Sequence, residues 1–308
     1  KRGKAGRRVR RWTHHPRSTN HDSTVPTMPF FRFDEMESQY LTPHLSTGKA
    51  PVIEGQYMYF CLLHKNAGTG SELHYHPNEL LIFPVRGRIN AIVGKDRRIV
   101  APGTFVHAPA YARHSMRATE EGPCQYLYIK DKTWTVVGLA ESEADPERAM
   151  TVEEANRRYK VGERDRHKGA EGRSQAIVDG LDVCFYPVID ALDAPRHSAR
   201  HVDWIEGERL AFGFCEVPGG YDEPGMTAQR EMFVYVISGT LQATSGKLTR
   251  RVSDGDIVHI ARGSAYRLQV ESPFARYVIV CSTPYLENRI DGMTPEEAEQ
   301  ARMNMRPN

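Results

Sequence analysis

Short apolar runs separated by Gly, Pro and Asn fill residues 56–132 and recur in residues 204–283. In the first region, the runs cover residues 57–63, 80–85, 89–93 and 125–129. Runs of this length that are rich in β-branched and aromatic residues are typical of β-strands. Their spacing of about ten residues per strand predicts a sandwich or a barrel. We therefore expect an all-β fold with a few short helices.

The two β regions are copies of one another. At an offset of 152 residues, identical residues of the two regions coincide without a gap. The coinciding pairs are Gly68 and Gly220, Glu79 and Glu231, Gly87 and Gly239, Gly94 and Gly246, Gly103 and Gly255, and His107 and His259. A register that stays constant over about 40 residues indicates a tandem duplication of one β unit.

The extent of the two copies divides the chain into five segments. Capping boxes, Thr151 with Glu154 and Thr294 with Glu297, predict a helix between the copies and another at the C-terminus. In chain order we predict a disordered basic extension (1–27), an N-terminal barrel with an arm (28–132), a linker with a short helix and a mobile loop (133–203), a C-terminal barrel (204–290) and a C-terminal helix (291–308).

Charge is distributed unevenly along the chain. The net charge is +2, but residues 1–27 carry eight Lys or Arg and one acidic residue, so the remainder carries −5. The extension is either foreign to the fold or a targeting or nucleic-acid-binding arm. The mildly acidic remainder gives no electrostatic reason to bind nucleic acid. With no apolar stretch near the ~18 residues of a membrane helix and five scattered cysteines, we expect a cytoplasmic protein without nucleic-acid or membrane partners.

Three histidines of the first copy form the principal candidate site. His74 and His76 are separated by one residue, so an extended strand places both imidazoles on the same face. His114 follows in the segment Pro-Ala-Tyr-Ala-Arg-His. Imidazole is a common ligand of divalent transition metals. Three imidazoles from two strands therefore predict a metal site that leaves coordination positions open for a substrate.

The second copy indicates which residues belong to this site. At the same offset, the three histidines are replaced by Met226, Ala228 and Tyr266, whereas Glu79 persists as Glu231. A metal ligand should have been free to change together with its partners. We therefore predict that Glu79 has a structural task, such as accepting backbone N–H bonds, and the alternative is that it is a fourth ligand. The second barrel is expected to serve packing and dimerisation.

The first copy resembles the first sequence motif of the cupin superfamily. That motif is a Gly, five residues, His-x-His, three or four residues, a Glu, six residues and a Gly. Counted back from Gly87, its glutamate position is occupied by Leu80, which follows Glu79. The residues that match the motif are Gly68, His74, His76 and Gly87.

Residues 103–114 resemble the second cupin motif, which is a Gly, five residues, Pro-x-Gly, two residues and a His. Gly103, Pro109 and His114 match it, and Tyr111 replaces its second Gly. Because both copies fit, the chain is identified as a bicupin. The resemblance implies two tandem double-stranded β-helix, or jelly-roll, barrels with a metal in the first.

A histidine triad without a glutamate is similar to the metal site of the gentisate and salicylate ring-cleaving dioxygenases, which are bicupins. The resemblance implies Fe(II), an aromatic hydroxy acid as small-molecule substrate, ring opening by O2 and a homo-oligomer, a dimer or a tetramer. Zn, Mn, Ni and Cu are alternative metals for a redox-neutral isomerase, lyase, cyclase or hydrolase. A non-catalytic, ligand-binding bicupin is the third hypothesis.

Four residues are candidates for contacts with the substrate. Tyr126 and Tyr128 share one face of a predicted strand and could line the pocket. Arg88 follows the glycine that ends the first motif, and Arg113 precedes His114. A guanidinium at either position could bind a substrate carboxylate. The alternatives are core packing for the tyrosines and solvated surface positions for the arginines.

Overall fold

A computed structural model describes residues 28–41, 49–74, 76–94, 96–110, 112–134, 184–193 and 197–298. The described residues are almost entirely β, which confirms the predicted all-β fold. The strands up to the linker are β1 (Phe30–Arg32), β2 (Ser38–Tyr40), β3 (Lys49–Glu54), β4 (Met58–Lys65), β5 (Leu80–Arg86), β6 (Ile89–Val93), β7 (Asp96–Val100), β8 (Thr104–Ala108), β9 (His114–Ala118) and β10 (Cys124–Asp131).

The second half repeats this series. Its strands are β11 (Phe185–Pro187), β12 (His201–Glu206), β13 (Leu210–Pro218), β14 (Met226–Thr227), β15 (Met232–Ser238), β16 (Leu241–Ser245), β17 (Leu248–Val252), β18 (Asp256–Ile260), β19 (Ala265–Val270) and β20 (Phe274–Ser282). A helix, α1 (Pro284–Asp291), follows them, and one turn of 3-10 helix (Phe33–Glu35) follows β1.

Each copy forms a barrel of two antiparallel sheets. In the first barrel, a seven-stranded sheet with the order β11-β8-β5-β10-β4-β3-β2 faces a three-stranded sheet with the order β7-β6-β9. In the second, a six-stranded sheet with the order β1-β18-β15-β20-β13-β12 faces a four-stranded sheet with the order β14-β19-β16-β17. The strands that the sequence predicted at residues 57–63, 80–85, 89–93 and 125–129 coincide with β4, β5, β6 and β10.

The two barrels exchange strands. β1, from the arm that precedes the first barrel, pairs with β18 of the second barrel. β11, from the linker that precedes the second barrel, pairs with β8 of the first. The registers correspond, since Phe30 lies opposite Val258 and Phe185 lies opposite Val106. The first strand of the predicted arm therefore belongs to the sheet of the second barrel, whereas β2 and β3 join the first barrel. The predicted linker contributes one strand, β11, to the first barrel.

Aromatic rings fill the space between the barrels. Successive residues of a strand point to opposite faces, so β4 directs Tyr59 into the first barrel and Phe60 towards the second. Phe60 stacks on Phe233 with ring centroids 5.0 Å apart. Phe105 of the first barrel stacks on Phe212 of the second at 3.9 Å. We call this shared core between the barrels the junction. Its strands are apolar on both faces, because neither face meets water.

Two buried glutamates connect the barrels reciprocally. Glu79 accepts hydrogen bonds from His107 Nε2 (2.5 Å) and from the backbone amides of residues 208–210 of the second barrel (3.0, 2.6 and 2.8 Å). Glu231 accepts hydrogen bonds from His259 Nε2 (2.9 Å) and from the amides of residues 56–57 of the first barrel (2.6 and 2.8 Å). We call these two arrangements the Glu79 clamp and the Glu231 clamp.

The chain termini and the linker differ in part from the predictions. α1 was not predicted, although Thr283 caps it by accepting a bond from the Leu286 amide (3.3 Å) and Pro284 opens it, which are ordinary helix-start signals. β12 begins at His201, inside the predicted linker. Its start was not predicted because polar residues interrupt the apolar pattern there. The capping box of Thr294 with Glu297 forms in both directions (2.9 and 3.2 Å).

Three predicted features lie outside the described residues. They are the basic extension, the linker helix that begins at Thr151 and the charged loop that follows it. In the described part of the chain, no helix has the length and apolar character required to cross a membrane.

Phe212→Ala should lower the free energy of unfolding by about 3–5 kcal/mol, because it leaves a cavity in the core that joins the barrels. Urea denaturation followed by circular dichroism measures this loss. Leu248→Ala is the control, since Leu248 is 39% exposed and surface substitutions change stability by about 0.5 kcal/mol or less. An equal effect of the two substitutions would show that the junction contributes little stability.

Candidate metal centre

The structure brings the three predicted histidines together. His74 pairs with His114, the first residue of β9, through two backbone hydrogen bonds of 3.1 and 2.8 Å. The His114 ring centroid lies 4.5 Å from that of His74 and 4.8 Å from that of His76. One ligand nitrogen from each ring lies within 4.8 Å of the others. All three side chains are buried.

The hydrogen bonds of these rings suit metal coordination. His74 Nδ1–H donates to the Glu72 carbonyl (2.6 Å), and His114 Nδ1–H donates to the Ala112 carbonyl (2.8 Å). Such bonds orient a ring and leave Nε2 available as the ligand atom. His114 Nε2 and both ring nitrogens of His76 are buried without a hydrogen-bond partner. Because buried polar atoms normally find partners, these residues fit a metal ion.

Burial keeps the three imidazoles neutral. It lowers the pKa of His74 to about 4 and that of His114 to about 3. The pKa of His76 lies well below its ordinary value because of burial and of the charges of His114 and Lys130. Neutral imidazole is the form that binds a metal, so the triad is in the binding form at pH 7.

A narrow cavity of about 30 Å³ adjoins His74 and His114. Its wall includes Lys65, Ser71, Leu80, Met116, Tyr126 and Tyr128. The predicted tyrosines therefore lie beside the histidines, and burial raises the pKa of both phenols. They stay protonated at neutral pH and can donate hydrogen bonds into the cavity.

The two predicted arginines lie elsewhere. Arg88 is exposed and pairs with Glu121 at the surface. Arg113 is also exposed. Its neighbour His114 points into the barrel, and adjacent residues of an extended chain face opposite sides. The prediction that either guanidinium meets the substrate is not supported by this placement.

Two buried lysines, which the sequence analysis missed, supply positive charge instead. Lys65 lines the cavity, and Lys130 lies two residues from Tyr128 on the interior face of β10. Their exposed fractions are 5% and 0%. Burial lowers the pKa of Lys130 to about 8, against the opposing effect of Asp131. The sequence contained a signal for the burial of Lys65, since the two-residue alternation of a strand places it on the same face as Leu63.

Glu79, the alternative fourth ligand, lies outside the histidine cluster and is held in the Glu79 clamp. Burial raises the pKa of its carboxyl, but the charge and hydrogen bond of His107 and the backbone amides outweigh burial, so the pKa is lowered. Glu79 lies one residue before the glutamate position of the cupin motif, and this shift explains why its side chain does not join the histidines. Leu80, at the motif's glutamate position, points into the cavity, and Glu79 therefore points to the junction.

The second barrel has an apolar interior at the corresponding place. Ala228 packs in its core, with Tyr266 partly buried against it. Met226 is 44% exposed. Within the described ranges, no second group of three His, Cys, Asp or Glu residues is close enough to share an ion.

Comparison with known proteins agrees with this architecture. The family described as "Cupin domain" matches residues 62–130, and no curated protein matches the chain. A variant of the oxalate decarboxylase of Bacillus subtilis superimposes with a TM-score of 0.57 at 16% identity, over 98% of this chain and 93% of that chain.

Two further solved structures are similar. AerE from Microcystis aeruginosa has a TM-score of 0.54 at 12% identity, over 83% of this chain and 100% of that chain. A variant of the salicylate 1,2-dioxygenase of Pseudoaminobacter salicylatoxidans, in complex with gentisate, has a TM-score of 0.51 at 15% identity, over 75% and 70%. At these identities the likeness concerns the fold. Residues 62–130 match the cupin domain family, and the two-barrel fold of the whole chain is similar to that of these solved structures.

Proposed function

We propose that the first barrel is a metal-dependent enzyme whose single divalent metal is held by His74, His76 and His114. The convergence of three buried, neutral imidazoles carries this proposal, since both ring nitrogens of His76 have no hydrogen-bond partner. Burying polar groups without partners costs free energy. A bound metal would remove that cost.

Fe(II) is the metal that we propose, and an aromatic hydroxy acid or a similar bidentate oxygen donor, opened by O2, is the substrate. Among the described residues, none that lines the cavity carries a carboxylate, which supports the proposal of Fe(II) and an O2-dependent reaction. So does the resemblance of such a triad to the sites of gentisate and salicylate dioxygenases. When bound, the metal would act as a Lewis acid towards the substrate oxygens and would supply redox chemistry with O2.

A redox-neutral reaction on a smaller acid is the second candidate. The cavity beside the triad is narrow, which favours a substrate smaller than an aromatic ring. Similar solved structures include oxalate decarboxylase from Bacillus subtilis, studied for its Mn(II) centres. Under this hypothesis Mn, or else Zn, Ni or Cu, takes the place of Fe(II).

The residues around the cavity favour an anionic substrate under both candidates. A metal dication and Lys65 would place positive charge in a buried site. The described residues that line this site include no Asp or Glu. A substrate carboxylate would accept a charge-assisted hydrogen bond from Lys65 at this wall of the cavity. Tyr126 and Tyr128 would donate hydrogen bonds to the substrate oxygens and orient them.

The proposed setting is a reducing compartment. All five cysteines are buried free thiols, which supports a cytoplasmic location. A homo-oligomer, either a dimer or a tetramer, stays a prediction.

His76→Ala should reduce bound metal from about one equivalent per chain to background, because a cation that keeps two of three protein ligands is held weakly. Elemental analysis of protein purified without chelator measures the metal content. His64→Ala is the control, because His64 is an exposed residue of β4. Wild-type protein that stays metal-free after loading with Fe(II), Mn(II) and Zn(II) would contradict the proposal.

The two candidate reactions predict different products. Protein loaded anaerobically with Fe(II) should consume O2 when gentisate or salicylate is added, as an oxygen electrode would record. The redox-neutral alternative predicts that Mn(II)-loaded protein releases CO2 from oxalate without net O2 uptake. If a metal-loaded protein binds these acids but converts none of them, the result favours the hypothesis of a non-catalytic, ligand-binding protein.

Lys65→Met should raise KM for the carboxylate substrate by about 10–100-fold, because a charge-assisted hydrogen bond contributes about 1.5–3 kcal/mol. Steady-state kinetics with the substrate identified above measure the change. Arg113→Met is the matched control, and its KM should equal that of the wild type. If the arginine substitution has the larger effect, the assignment of Lys65 is wrong.

A further inference from the structure

We infer that the second barrel positions the metal site of the first, and that Glu79 and Gly207 are the positioning residues. This inference rests on the proposed metal binding. It assigns to the metal-free barrel a task beyond packing, which is to fix the segment that follows His76. Glu79 acts through that segment and is not a ligand.

His76 differs from the other two histidines in how its ring is held. His74 and His114 each donate Nδ1–H to a carbonyl two residues earlier in the chain. His76 has no such bond at either ring nitrogen. The position of the His76 ring therefore depends on the backbone of residues 76–79.

The second barrel holds that backbone directly. Its residues 208–210 donate three amide bonds to the Glu79 carboxylate. The Arg209 guanidinium also donates to the carbonyl of Pro77, which follows His76. The same guanidinium reaches Thr133 Oγ1 (2.9 Å) and Asp131 Oδ2 (3.3 Å). One loop of the second barrel thus holds both the segment after His76 and the end of β10.

Contacts within the first barrel complete this anchor. Asn78 Nδ2 donates to the Asp131 carbonyl (2.7 Å), and the Glu79 amide donates to Asp131 Oδ2 (2.5 Å). Arg209, Asp131, Asn78 and Glu79 are at most 1% exposed. A network of buried, charged hydrogen-bonding groups has few alternative arrangements. It can therefore hold a metal ligand that has no orienting bond of its own.

The internal duplication supplies a matched control. The Glu231 clamp has the same design, but it anchors the second barrel, where Ala228 stands in place of His76. Gly207 lies so close to Glu79 that an added Cβ would be 2.2 Å from Oε1, and a Cβ on Gly55 would be 2.5 Å from Glu231 Oε1. Equivalent substitutions in the two clamps should therefore disturb folding similarly and metal binding differently.

Glu79→Gln should lower the affinity of the full-length protein for Co(II) by about 10–100-fold, as for other groups that orient metal ligands. Glu231→Gln should leave this affinity unchanged. Titration followed by visible absorption measures the affinity, and the spectrum also reports the coordination geometry. Thermal unfolding of the metal-free proteins compares the stabilities of the two variants.

Gly207→Ala and Gly55→Ala test the same inference while keeping both carboxylates in the chain. Gly207→Ala, in the second barrel, should weaken Co(II) binding in the first. Gly55→Ala lies in the metal-binding barrel and should not. These variants also decide the matter if the glutamate variants fail to fold.

Equal losses of Co(II) affinity within either pair, or no loss with Glu79→Gln and Gly207→Ala, would overturn the inference. In both cases wild-type protein still binds Co(II) and the proposed function stands. Wild-type protein that binds no Co(II) would instead overturn the proposed function, and this inference with it.

Discussion

The structure depends on how two glutamate carboxyl groups are buried where the barrels meet. A buried carboxylate is costly unless hydrogen bonds surround it. Glu79 and Glu231 each meet this requirement by taking a histidine from their own barrel and backbone amides from the other barrel. Neither barrel can complete its own clamp alone. The aromatic core and the exchanged strands β1 and β11 add to the same junction between the barrels.

This requirement explains why the duplicated halves kept some residues and lost others. The glutamates, their histidines and the glycines at 55 and 207 are present in both copies, since the junction needs each of them twice. The three histidines of the candidate metal site belong only to the interior of the first barrel. In the second barrel, Ala228 packs in the apolar interior at the position equivalent to His76. Persistence between the copies therefore separates residues of the junction from residues of the site.

The charge of the site follows from the same separation. Because Glu79 is held at the junction, the triad is left with three neutral imidazoles and two buried lysines, Lys65 and Lys130. The narrow cavity beside the triad has the phenols of Tyr126 and Tyr128 at its wall. These features agree with the acid substrates that we propose.

Much of this protein was readable from its sequence. The strand pattern, the offset of 152 residues and the spacing of His74, His76 and His114 predicted two barrels and one candidate site, because strand alternation and motif spacing are local properties. The repeat also separated Glu79 from the ligands. The tertiary structure decided the contacts between distant segments. These are the barrel that each exchanged strand joins and the amides that hold Glu79. It also showed that Lys65 lines the cavity, whereas Arg88 and Arg113 face solvent. Pairing across 130 residues, as between Glu79 and Arg209, leaves no local pattern, because the fold alone brings such residues together.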